Sequence, residues 1–123
     1  MGFQINIDSN KQKATILGTG HTDAAGFRAI LLKAVADPSF RVGYGILVDA
    51  RSLDYTPTID ETKQFTEFHI SNDTLKRSKV AVVVTQVVDY GMANMFSTLC
   101  EMKGATVRSF QSVTEAECWL TQG

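Results

Sequence analysis

Two short apolar runs constrain this chain more than any other feature. Residues 45–49 read GILVD and residues 79–85 read KVAVVVT. Both are continuous rather than alternating, the pattern of strands covered on two faces, as in a parallel sheet. Parallel neighbours need a crossover, usually helical, and the sequence between the runs supplies one. Thr58 and Glu61 form a T-x-x-E capping box ahead of a segment whose apolar face carries Ile59, Phe65 and Phe68.

The rest of the chain extends this unit in both directions. Phe3, Ile5 and Ile7 alternate with polar residues at strand period, a turn-rich break follows at 8–12, and residues 14–17 read as a second strand. A link that short predicts an antiparallel hairpin. Thr22 or Asp23 caps a first helix, in which Phe27, Ile30, Leu31, Ala34 and Val35 form an i, i+3, i+4, i+7, i+8 stripe. Asp37-Pro38 ends it. Residues 91–103 read as a third helix stopped by Gly104, and 106–110 as a short edge strand. Ser112 and Glu115 open a last helix carrying Val113, Ala116, Trp119 and Leu120. The expected fold class is α/β, a single mixed, mostly parallel sheet in the order β-β-α-β-α-β-α-β-α, within one domain spanning 1–123.

Composition narrows the function classes. A chain of 123 residues with 44% hydrophobic content can bury one core without staples. Its net charge of −1, from 12 basic and 13 acidic residues, argues against a nucleic-acid surface. Lys76, Arg77 and Lys79 read as a solvated strand entry. No run approaches the ~20 apolar residues of a membrane span, and the N-terminal residues lack the pattern of a secretory signal. Cys100 and Cys118 match no metal or redox spacing and fall on helical patterns, where buried thiols are expected. A reduced, cytoplasmic setting is therefore expected.

The stretches YGILVDARSLDY (44–55), KVAVVV (79–84), DYGMANMFSTLCEMKGATVRSF (89–110) and EAECWL (115–120) together resemble the SpoIIAA-like group. These are small single-domain proteins related to STAS domains and sometimes labelled SEC14-like. The resemblance covers nearly the whole chain and implies that architecture. In the related anti-sigma-factor antagonists, a serine in a D-S-[ST]-G turn after the central strand is phosphorylated by a partner kinase. DYTPTIDE (54–61) stands in that place here and lacks the motif. That departure weighs against a kinase switch. Thr58 reads first as a helix cap, with Thr56 the next hydroxyl.

Ligands of open parallel sheets collect beyond the carboxyl ends of the strands. Two loops leave those ends, 50–58 and 86–90. They carry the candidate ligand or partner residues Ser52, Asp54, Tyr55, Thr56, Thr58, Asp89 and Tyr90. For the two Asp-Tyr pairs, turn bracing explains the residues without a ligand. The glycine-rich GTGHTDAAG (18–26) lacks P-loop and dinucleotide spacing and reads as a flexible turn. His21 and Asp23 lack a third metal ligand. His69 sits near a helix C-terminus, where a cation suits the dipole. No set of acid, base and nucleophile assembles, so no catalytic residue, metal or cofactor is expected.

The 91–103 segment stands out. Met92, Ala93, Met95, Phe96, Leu99, Cys100 and Met102 cover about 180° of the helix at ~100° per residue. That is wider than a core-facing stripe. Met92, Met95, Phe96, Leu99 and Met102 are the candidate interface. A homodimer partner and the Trp119 helix are equally suited to cover it, and a hydrophobic ligand is a third occupant. The expected function is a non-enzymatic binding or regulatory module acting through protein contacts, as a homodimer or with another protein. The alternative is a carrier of a small apolar or lipid-like ligand.

Overall fold

In the computed structural model, which describes residues 2–122, five strands form one sheet in sequential order. They are β1 (Gly2–Asp8), β2 (Lys13–His21), β3 (Gly45–Asp54), β4 (Lys79–Val83) and β5 (Thr106–Phe110). β1 and β2 make the expected antiparallel hairpin, and every later pair is parallel. The helices are α1 (Ala24–Ala36), α2 (Ile59–Ser71), α3 (Asp73–Lys76), α4 (Val87–Met102) and α5 (Val113–Thr121).

Sequential strand order has a direct consequence. Crossovers of one hand that always step in the same direction deposit their helices on the same face of the sheet. The packing agrees. Ile46 and Val48 of β3, Val80 of β4 and Val107 of β5 join Leu31 and Ala34 of α1 and Cys100 of α4 in one core, with Phe68 of α2 and Phe96 of α4 packed against it. Successive strand residues point to opposite faces, so Leu47, Ala81 and Val83 turn the other way. They pack against Ala116 and Trp119 of α5. The central strands are thus apolar on both faces because α5, which follows the last strand, is free to fold onto the other side. Trp119 therefore lies across the sheet from α4 and does not cover its methionine face.

Helix ends follow local chemistry. Asp23 Oδ1 accepts from Gly26 N–H at 2.8 Å. Thr58 and Glu61 complete a reciprocal capping box, with bonds of 3.1 and 3.0 Å. Ser112 accepts from Glu115 N–H. Gly104 adopts φ +94° just past α4, a backbone region costly for other residues.

Several expectations need correction. α4 begins at Val87, not Gly91, because its N-cap Gln86 makes no side-chain capping bond and so leaves no start signal in the sequence. β2 and β3 run to His21 and Asp54, so the glycine-rich 18–21 is strand rather than turn. Gly18 is bare because Leu53 lies over it: a Cβ there would stand 2.7 Å from Leu53 Cγ. The one-turn α3 was unforeseen; Asn72 Oδ1 caps it through Leu75 N–H. Ile59 is exposed rather than part of the α2 core face, and Cys118 is exposed while Cys100 is buried. Lys79 is not simply solvated. Its ammonium donates to the Trp119 and Gln122 carbonyls at 3.0 and 3.2 Å, where the negative end of the α5 dipole favours a cation.

Candidate functional site

Two spaces adjoin the carboxyl ends of β3 and β4. One is an open notch of about 380 Å³ lined by Arg51, Ser52, Leu53, Asp54, Tyr55, Thr56, Gln86, Val88 and Asp89. The 50–58 and 86–90 segments do lie side by side, tied by a hydrogen bond from Thr56 Oγ1 to Asp89 Oδ1.

The candidate residues divide within this geometry. Ser52 and Asp54 project from the end of β3 and are exposed. The Asp54 carbonyl accepts from the His21 ring at 3.1 Å, which joins the ends of β2 and β3. Tyr55 is half-buried, its ring 6.4 Å from that of Phe27 and its hydroxyl donating to Glu61 Oε1 at 3.1 Å. Burial, and then the Glu61 carboxylate, raise its pKa above the ordinary phenol value, so Tyr55 stays protonated. Thr58 caps α2. Asp89 sits in the first turn of α4. Tyr90 lines neither space.

Arg51 and Asp49 were not anticipated. Asp49 is buried, yet both of its oxygens accept from the Arg51 guanidinium, each at 2.9 Å. The Arg51 hydrogen bonds hold its carboxyl below the usual carboxylate range, against the opposing effect of burial. The signal was the i, i+2 spacing, which puts both side chains on one face of the strand.

The second space is a more enclosed cavity of about 90 Å³ between the sheet and helices α2 and α4. Val48, Val80 and Val82 form its floor. Phe65, Phe68, Met92, Ala93 and Phe96 form its roof, and Leu53, Tyr55 and Asp89 are shared with the notch. Met92 and Phe96, candidates for an outward-facing interface, thus contribute to an interior wall. Met95 and Leu99 are half-exposed and Met102 is 77% exposed.

The polar member of this wall is His69, only 1% exposed. Its ring meets Phe96 edge to face at 5.7 Å. Burial pushes its pKa down to about 4, although a backbone hydrogen bond with Leu75 works the other way. His69 is therefore a neutral buried imidazole and not a cation serving the helix dipole. Thr62, Phe65, Thr66 and His69 follow i, i+3, i+4, i+7, so the buried face of α2 was visible in the sequence to a reader who allowed polar members. The two threonines satisfy themselves by donating to carbonyls four residues back, at 2.8 and 2.9 Å. His69 Nε2 does not: among the described residues it is the buried side-chain polar atom without a hydrogen-bond partner in the protein.

Among the described residues, no three His, Cys, Asp or Glu side chains gather in an arrangement that holds a metal ion. Nor is any helix long and apolar enough to cross a membrane.

No family model matches the sequence, and neither does any curated protein. Solved structures match it in fold. One is an uncharacterised DUF3478-family protein from Shewanella loihica with a SpoIIAA-like fold. It aligns over 97% of this chain and 94% of its own, at a TM-score of 0.61 and 15% identity. The chain has a SpoIIAA-like fold: a mostly parallel five-stranded sheet with the helical layers described above.

Proposed function

We propose that the protein is a non-enzymatic interaction module that pairs with a second copy of itself along α4. The observation that carries this reading is the outer face of that helix. Val88, Met95, Leu99 and Met102 are spaced i, i+7, i+11, i+14, within about 60° of one another at ~100° per residue. Val88 is 62% and Met102 77% exposed, with Met95 and Leu99 half-exposed between them. α5 occupies the other side of the sheet and does not reach this stripe, and α2, packed beside α4, leaves Val88 and Met102 exposed. A straight apolar stripe suits a two-fold contact, in which it meets its own copy. Its methionines adapt to such a surface.

The non-enzymatic part of the reading draws support from the notch. Most of its polar groups are engaged in structure, Thr56 with Asp89, Tyr55 with Glu61 and Arg51 with Asp49, while Ser52 and Asp54 stay exposed without an assembled base or nucleophile beside them. The test is Met95→Glu, followed by light scattering after gel filtration, with circular dichroism to check folding. A dimeric wild type and a folded monomeric variant are expected. A monomeric wild type, or a variant that remains dimeric, overturns the reading.

The carrier alternative meets a size limit. Pockets for drug-sized ligands run from about 300 Å³ upward, so a lipid-like molecule does not fit a cavity of about 90 Å³.

A further inference from the structure

We propose that the outer edge of β1 is a second self-association surface, weaker than α4, through which the sheet of one copy continues antiparallel into the sheet of another. It lies on a different part of the molecule from the α4 stripe and rests on different observations.

The first is an edge left unguarded. β1 ends the sheet order and among the described residues pairs only with β2, so its remaining backbone N–H and C=O groups face outward. Folded proteins blunt such edges with short strands, charged side chains, proline or a bulge. β1 uses none of these. It runs for seven residues in unbroken register with β2 and carries no proline, and no charge before Asp8. The opposite edge is guarded. β5 has five residues with Arg108 at its centre, exposed, its guanidinium 5.4 Å from the Trp119 ring centroid.

The second observation selects the occupant. An edge is satisfied by another extended strand, and β1 matches itself. With Ile5 on a two-fold axis, Phe3 faces Ile7 of the second copy, Gln4 faces Asn6 and Gly2 faces Asp8. Apolar residues then meet on the face where Phe3, Ile5 and Ile7 pack against the core. The exposed amides of Gln4 and Asn6 meet on the other, and no like charges oppose. A slip by one residue would set apolar side chains against amides. Each cross-strand pair contributes little, so this contact forms at higher concentration than α4 pairing.

The experiment is sedimentation equilibrium over a concentration series reaching ~1 mM, where contacts this weak register. It uses the Met95→Glu background, in which α4 pairing is removed. Reversible dimerisation is expected. Adding Gln4→Lys with Asn6→Lys sets lysine against lysine twice and should weaken it about tenfold. Adding Gln4→Lys with Asn6→Glu sets lysine against glutamate and should restore it. Both positions are exposed, and circular dichroism checks the fold. No association up to ~1 mM, a double-lysine variant that associates like its parent, or a Lys/Glu variant as weak as the double-lysine one each overturns the proposal. If Met95→Glu itself remains a tight dimer, the α4 reading falls; the edge proposal then falls with it only if that dimer ignores the same charge changes.

Discussion

His69 makes the stability of this protein depend on pH in a way that can be calculated. Its pKa is 6.5 in an unfolded chain and about 4 in the folded one. Above pH 6.5 the imidazole is neutral in both states and adds no pH dependence. Between pH 6.5 and about 4 the unfolded chain takes up a proton that the folded chain refuses, so stability falls as pH falls. Each unit of pKa difference is worth 1.36 kcal/mol. Acidification across this window should therefore remove about 3 kcal/mol, a large part of the ~5–15 kcal/mol that holds a typical domain together. The carboxylates also titrate here, so the informative quantity is the difference between wild type and His69→Leu, in which His21 and the acids are common to both. Urea denaturation at pH 7, 6, 5 and 4.5 measures it. The variant should be as stable as wild type or more so at pH 7, and its advantage should grow by about 3 kcal/mol toward pH 4. Parallel profiles for the two proteins would show that the imidazole protonates freely in the folded state, and the burial argument would fail.

Other consequences are simpler to test. Thr58→Ala should lose about 1 kcal/mol by breaking the α2 capping box, whereas Thr58→Asp should hold wild-type stability in the same urea assay; a silent alanine variant refutes the cap. Gly18→Ala should cost about 1–3 kcal/mol through overpacking against Leu53, and much of that should return in a Leu53→Ala background. An unchanged penalty in the double variant would place the strain elsewhere. Exposed Cys118 should react with a thiol reagent in the native protein. Cys100, buried and pushed up to about 12 by desolvation, should react only on unfolding. Two equally fast thiols would contradict that burial.

The fold was largely legible because its signals are local and repeated. Asp37-Pro38, the Thr58–Glu61 box and Gly104 act within a few residues of themselves, and the bounds they set for α1, α2 and the end of α4 agree with the structure. The start of α4 was missed where such a signal is lacking at Gln86. The extension of β2 and β3 was missed because what makes strand of a glycine-rich stretch is pairing with residues thirty-three positions away in the chain, Thr19 beside Ser52 and Gly20 beside Leu53. The candidate site was only partly legible. The two segments meet beyond the sheet, where Thr56 joins Asp89, but residues 50–54 continue β3 and 87–90 open α4 instead of forming loops. Asp49 was overlooked and His69 was read as a cation at a helix end, because charge and polarity argue for the surface until a partner or a packing face is known.

Apolar periodicity, caps and breakers are written within single turns and strands, and they were enough to set the order and kind of the main elements. Which faces those elements share came only from their packing. Sequential strand order placed α1, α2 and α4 on one side and left α5 to the other. That arrangement leaves Val88 and Met102 of α4 exposed and encloses His69 beside a cavity. Whether an apolar side chain faces core, cavity or solvent depends on what the rest of the chain brings against it, and no local pattern carries that information.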